Sequence, residues 1–315
     1  MTNPLTAWRR ASLLGALALL SLLGSSRSAS AELIGVASRF TAPSAIYSID
    51  PATGVATLLT NTPGTAPYLT GADFRQGILY ASDVTWADGI CVFVTYDLAT
   101  GAFVQISDQA GFELDGLAYR QGNDLFYSVS NSSNFENVHE LVTINPGTGA
   151  VSNIANTLTF VRGLAFDQAS DILYGVTGET ATSINLVTID PSTGAVTTIG
   201  ATGQFGRRAG LAFDEDNRIL YMNLGVDAST PNSLFRINTA TGAATLVGGN
   251  GAVVGEGIDG VAWRPGIGAV SVPEPSSFAL TGLGMLGLVA WLRRTKKPSG
   301  QAAARRTARR RGRSG

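Results

Sequence analysis

A five-residue pattern, Asx-x-x-Thr-Gly, occurs five times at nearly even spacing and confines the chain to a repeat architecture. It reads Asp50-Pro51-Ala52-Thr53-Gly54, Asp97-Leu98-Ala99-Thr100-Gly101, Asn145-Pro146-Gly147-Thr148-Gly149, Asp190-Pro191-Ser192-Thr193-Gly194 and Asn238-Thr239-Ala240-Thr241-Gly242. Its glycines lie 47, 48, 45 and 48 residues apart. A second pattern keeps the same phase. A glycine precedes Leu117-Ala118-Tyr119, Leu164-Ala165-Phe166, Leu211-Ala212-Phe213 and Val261-Ala262-Trp263, and Gly71-Ala72-Asp73-Phe74 is a looser copy. Two signals sharing one period mark an array of structural repeats.

Each unit reads as β structure. Ahead of the Asx, apolar residues alternate with polar ones, as in Val187-Thr188-Ile189 and Val142-Thr143-Ile144. That two-residue period belongs to a strand with one buried face. In the turn, the Asx side chain can cap the backbone, proline presets φ where it occurs, and the closing glycine accepts a left-handed conformation. A short strand such as Ala195 to Ile199 completes a hairpin. Gly163 to Phe166 and Ile172 to Val176, joined across Asp167 to Asp171, supply two more strands. The unit is thus four short antiparallel strands, the pattern of a propeller blade, and no helical period appears in the body. The last unit stops after Gly260 to Trp263, while Leu33-Ile34-Gly35-Val36 at the other end matches Leu173-Tyr174-Gly175-Val176. The N-terminal strand is therefore expected to complete the final blade, closing an all-β, five-bladed β-propeller of four-stranded blades.

The flanks carry addresses. Arg9 and Arg10 precede the uncharged run Ala11 to Leu23, and Ala29-Ser30-Ala31 gives a small-x-small cleavage site. Residues 1–31 are read as a signal peptide removed by signal peptidase on the general secretory route. Phe278 to Leu292 is apolar, and with Ser276 and Ser277 it reaches seventeen uncharged residues, near the lower limit for a membrane-spanning helix. The expected organisation is a signal peptide over 1–31, the propeller over 32–266, a linker over 267–275, a transmembrane helix over 276–292 and a basic cytoplasmic tail over 293–315. Ten of the 22 Lys and Arg lie in that tail, which by the positive-inside rule stays in the cytoplasm. The body between Glu32 and Val272 has 22 acidic residues against nine arginines, a charge near −13. A body so acidic is no nucleic-acid binder. The tail is read instead as fixing topology and meeting anionic headgroups.

Few residues suit catalysis. One cysteine, Cys91, excludes an internal disulfide or a cysteine-rich zinc site, and it is read as a core residue. His139, the one histidine, lacks a nucleophile elbow and is read as exposed beside Glu136 and Glu140. The Asx turns lack the alternating oxygen ligands of a calcium loop, and Asp214-Glu215-Asp216-Asn217 is read as a solvated hairpin tip. Gly282-Leu283-Gly284-Met285-Leu286-Gly287 matches a dinucleotide fingerprint only formally, since no βαβ unit surrounds it. No catalytic residue is assigned. What remains is the set just before the glycine of each inner strand: Thr70, Asp115, Arg162, Ala209 and Asp259. These vary while the frame repeats, as a binding mouth would, and Asp115, Arg162 and Asp259 are the ligand-binding candidates.

Val272-Pro273-Glu274-Pro275-Ser276-Ser277, the apolar run and Arg293-Arg294 together resemble the PEP-CTERM sorting signal of Gram-negative bacteria. The resemblance covers about 25 of 315 residues. It implies recognition by an exosortase, a membrane-embedded cysteine protease acting near the motif, with Pro273, Glu274, Pro275, Arg293 and Arg294 as the sorting residues. It further implies a role in exopolysaccharide and biofilm production, and a membrane intermediate that ends at the cell surface or in the extracellular matrix. Members usually end a few residues after the arginines, whereas this chain continues to Gly315. Two readings of the body stay open. One is a non-catalytic propeller that binds polysaccharide or another envelope component. The other is a hydrolase or lyase with a metal in the central mouth held by Asp115 and Asp259. No cofactor is expected, with calcium left open.

Overall fold

Five antiparallel four-stranded sheets, set around one axis, take up the five repeats. The computed structural model describes residues 31–37, 43–63, 69–83, 90–110, 112–132, 139–157, 159–177, 183–206, 208–225, 228, 230–251 and 257–266. The expected signal peptide, sorting signal, transmembrane helix and tail lie outside these residues. The chain divides into Met1–Ile267 and Gly268–Gly315, and only the first of these units is described. It contains no helix among the described residues.

In chain order the first three strands are β1 (Glu32–Ala37), β2 (Ala45–Ile49) and β3 (Ala56–Asn61). Blade 1 is β4 (Leu69–Arg75), β5 (Ile78–Asp83), β6 (Ile90–Tyr96) and β7 (Phe103–Ala110). Blade 2 is β8 (Phe112–Arg120), β9 (Leu125–Ser132), β10 (His139–Ile144) and β11 (Val151–Asn156). Blade 3 is β12 (Val161–Asp167), β13 (Ile172–Thr177), β14 (Ser183–Ile189) and β15 (Val196–Phe205). Blade 4 is β16 (Ala209–Asp214), β17 (Ile219–Leu224), β18 (Ser233–Ile237) and β19 (Ala244–Gly249). Blade 5 joins the two ends of the body in the order β20 (Ile258–Arg264), β1, β2, β3. Leu33 pairs with Trp263 and Gly35 with Val261. The ring therefore closes as the repeat arithmetic requires.

The first strands β4, β8, β12, β16 and β20 pack on one another in cyclic order and surround the axis. Their repeated glycine makes this approach feasible. A methyl group on Gly163 would lie 2.6 Å from the Ala209 carbonyl oxygen, and one on Gly210 would lie 2.6 Å from that of Asp259. Gly260 meets the Thr70 carbonyl in the same way, at 2.7 Å. Backbone packs directly on backbone around the ring, which only a residue without a Cβ allows.

The core consists of five wedges, one in each seam between blades. The aromatic residue of an inner strand packs on the second-strand tyrosine of the preceding blade. Tyr174 and Phe213 stack at 6.1 Å, Tyr221 and Trp263 at 6.2 Å, and Tyr127 meets Phe166 at 5.7 Å. Cys91 is buried in the wedge between blades 1 and 2. His139 differs from expectation. It is buried, with its ring edge-on to Phe160 at 4.7 Å, because its strand turns that side chain into the blade.

Every Asx turn is built alike. In the first, the Asp50 carboxylate accepts from Ala52 N at 2.8 Å and from the Thr53 hydroxyl at 2.8 Å, and Gly54 N donates to Asp50 O at 2.7 Å. The motif is spent on its own turn. Its glycine also docks on the outer strand of the preceding blade, at the position of Ser107, Ala155, Gly200 or Gly248. Blade 5 has Thr60 at that register, and among the described residues a methyl group on Gly101 of blade 1 would meet only the Tyr96 hydroxyl, at 3.8 Å. Gly101 is exposed where its four counterparts are buried, and Leu59 stands 45% exposed beside the gap.

This asymmetry separates two identical-looking turns. Gly101→Ala should cost only the left-handed backbone strain at φ 74, about 1–2 kcal/mol. Gly242→Ala adds to that strain a collision with the Gly200 carbonyl, for about 2–5 kcal/mol in all. Urea denaturation of the two variants measures the gap, and equal losses would contradict the open outer edge between blades 5 and 1.

Candidate functional site

The axis has two ends, with different chemistry. At the end where the inner strands begin, Asp115 precedes Gly116 in β8, Arg162 precedes Gly163 in β12, and Asp259 precedes Gly260 in β20. The Arg162 guanidinium donates to the Asp115 carboxylate across the seam at 3.4 Å and lies over the Phe160 ring at 4.3 Å. Arg208 donates to Asp259 at 3.2 Å, again between neighbouring blades. Thr70 completes the belt, with its hydroxyl donating to Leu114 O at 3.3 Å. Asp115 thus meets Arg162, while Asp259 meets Arg208. Sequence reading missed Arg208 because it sits one residue before the frame position, held by Ala209.

At the other end the inner strands open into a cavity of about 800 Å³. The repeated aromatic of each blade reaches it: Phe74, Tyr119, Phe166, Phe213 and Trp263. These rings also pack in the seams between blades, and arginines lie over some of them. Arg218 lies over Phe213 at 4.8 Å and Arg120 over Phe166 at 5.6 Å. Beyond the rings comes a rim that also repeats, two residues after the aromatic: Gln76, Gln121, Gln168, Glu215 and Pro265.

Part of this rim stitches blades together. Gln121 N donates to Gln168 Oε1 at 2.8 Å, and the Gln168 side-chain amide donates to Tyr119 O at 2.5 Å. Gln168 N in turn donates to Glu215 Oε1 at 2.6 Å. Ion pairs outside the rim repeat the stitch from blade to blade: Arg75 with Asp124 at 2.6 Å, Arg120 with Asp171 at 2.5 Å, and Arg218 with Asp167. Arg75 and Tyr119 together draw the Asp124 carboxyl down to about 2. At Asp167 burial opposes ionisation, but Arg218 and the Ser170 amide outweigh it and lower the pKa.

Three acids line the cavity itself: Asp124, already paired with Arg75, and Asp73 and Glu215. Asp73 replaces the alanine found at its position in the other four inner strands, Ala118, Ala165, Ala212 and Ala262. Its oxygens accept from Phe74 N and from Tyr119 N of the next blade, both at 2.7 Å. Burial pushes its carboxyl up to about 7, against these two hydrogen bonds, and the charge of Glu215 adds to the rise. Glu215 is itself raised, by burial first and then by Asp167. The expectation of a solvated tip therefore fails for Asp214 and Glu215. Asp214 is buried and caps its turn through Asp216 N and Asn217 N, while Glu215 turns into the rim. The signal was present in the sequence as the looser copy at Asp73 and the glutamine frame two residues past each aromatic.

Comparison with known proteins agrees with both parts of the chain. Residues 271–294 match the PEP-CTERM protein-sorting motif. No curated protein matches the sequence. Among solved structures, the chain resembles one in the crystal structure of a nidogen/laminin complex, with a TM-score of 0.51 and 12% identity. That likeness covers 74% of this chain and 98% of the other. It also resembles TolB from Acinetobacter baumannii, with a TM-score of 0.45 and 16% identity over 74% of this chain and 54% of that one. At 12% identity the likeness to the nidogen/laminin chain is one of fold. The motif marks an exported protein that passes the membrane and is processed by an exosortase.

Proposed function

We propose that this protein is a surface or matrix component whose propeller binds polysaccharide or another envelope component and performs no catalysis. The sorting motif at residues 271–294 carries the reading. A chain delivered to the outside by way of a membrane intermediate meets the polymers of the envelope before anything else. The rigid ring supports it too, because five stitched blades hold loops and rim in fixed positions for contact with an extended ligand.

The alternative, a hydrolase or lyase with a metal held by Asp115 and Asp259, is the weaker reading. Each carboxylate faces an arginine from the neighbouring blade, and a cation would have to displace or oppose that charge. A glycan-binding screen of the purified protein tests the proposal. Saturable binding of at least one polysaccharide, without change in its chain length over long incubation, is the expected result. Shortened or unsaturated product chains would favour the enzyme.

A further inference from the structure

We infer that the binding site is the cavity at the C-terminal ends of the inner strands, and that it takes an uncharged sugar chain in preference to an acidic one. The inference rests on the binding role proposed above and adds to it a place and a ligand class.

The place follows from what is spent and what is not. At the opposite end, Asp115 and Arg162 face each other, as do Asp259 and Arg208, so those charges are largely used on holding neighbouring blades. At the cavity, Gln168 and Glu215 are similarly used. Gln76 and Gln121 are not. Both are exposed on the rim, and their side-chain amides make no hydrogen bond among the described residues. Each such amide offers a donor and an acceptor side by side, which suits a sugar hydroxyl that must be paired in both directions. Beneath them the aromatic residues and the Leu-Ala pairs of β12 and β16 form an apolar wall against which the C–H groups of a sugar ring can rest. The volume, about 800 Å³, is in the range of ligand clefts and admits more than one sugar ring.

The ligand class follows from charge. Asp73, Asp124 and Glu215 all line this opening. Arg75 and Arg218 answer the second and third of these acids, whereas the oxygens of Asp73 face backbone amides. The body around them carries about −13. A uronic acid brought to this mouth would set its carboxylate against Glu215 and, once pH is above about 7, against an ionised Asp73, in a partly desolvated place where like charges repel. A neutral hexose meets no such penalty, and the same carboxylates can accept from its hydroxyls.

The test uses the full chain in detergent with two matched probes, neutral hexose oligosaccharides and hexuronate oligosaccharides of equal length. At low salt and about pH 8.5, where Asp73 is ionised, neutral probes should bind at least about tenfold more tightly. The double variant Gln76→Ala/Gln121→Ala should keep its melting temperature and lose about tenfold in affinity for them. The double variant Asp115→Asn/Asp259→Asn should bind as the native protein does. Preference for the hexuronate would overturn the ligand class. Full affinity in the glutamine variant, or its loss in the aspartate variant, would overturn the place while leaving a glycan-binding propeller intact. Binding of neither probe, together with a blank wider screen, would remove the underlying role as well.

Discussion

A chain that lacks Glu32–Ala37 is expected to lose cooperative unfolding altogether, although only six residues at one end of the body are removed. Those residues form β1, which lies between β20 and β2 and is the one strand joining the inner strand of blade 5 to the rest of its sheet. Leu33, Ile34, Val36 and Ala37 are each completely buried. Leu33 and Ala37 belong to the wedge shared with blade 4, and Ile34 and Val36 to the one shared with blade 1. Burial of Leu33, Ile34 and Val36 contributes about 5–9 kcal/mol at about 1.5–3 kcal/mol each. That is comparable with the whole stability of a typical domain, about 5–15 kcal/mol. The deletion also leaves β20 and β2 with unpaired edges, which invite aggregation. Circular dichroism during thermal unfolding checks this. A sharp transition within a few degrees of the native one would mean that the ring does not depend on this clasp.

The repeat frame was legible in the sequence because the devices that build it are local and carry distinctive residues. An Asx caps its own turn, a glycine takes a left-handed φ, and an alternating run makes a strand, so five copies announce five blades. The clasp was legible for the same reason, since Leu33 to Val36 matches Leu173 to Val176 at three of four positions. What could not be read was whatever depends on the register between blades. Arg208 meets Asp259, 51 residues away, only once inner strands of adjacent blades are laid side by side. Glu215 looked like part of a solvated acidic tip until the blade-to-blade rim bonded it to Gln168. His139 is buried for a similar reason, since it packs against Phe160 in the connection that leads to the next blade. The open outer edge at Gly101 is subtler still. It coincides with one substitution, Thr60 for the Gly, Ala or Ser of other outer strands, which is recognisable only once the strand registers are aligned.

Replacing Pro273, Glu274 and Pro275 together by alanine should leave export unaffected and abolish removal of the C-terminal segment. These residues lie within the sorting motif at 271–294 but outside the residues described structurally, so their role is read from the sequence. Export depends on the separate apolar run at the N-terminus, which the substitution does not touch. The C-terminal run of seventeen uncharged residues, 276–292, is barely enough to span a bilayer, which needs about 20 and at least about 17. It suits a temporary anchor better than a permanent one. Ten basic residues after it are expected to resist translocation and to keep that end in the cytoplasm while the body is exported. Two prolines around Glu274 cannot supply the backbone N–H groups a continuing helix requires, so the sequence favours an extended segment there, the form a protease takes as substrate. Alanine at all three positions restores helix propensity and removes the recognised side chains at once. In a host with the exosortase, the variant should remain in the membrane fraction at full length, with its body digestible by protease added from outside. The native protein should be shortened and leave that fraction. Equal shortening and release of both would show that cleavage does not read these three residues.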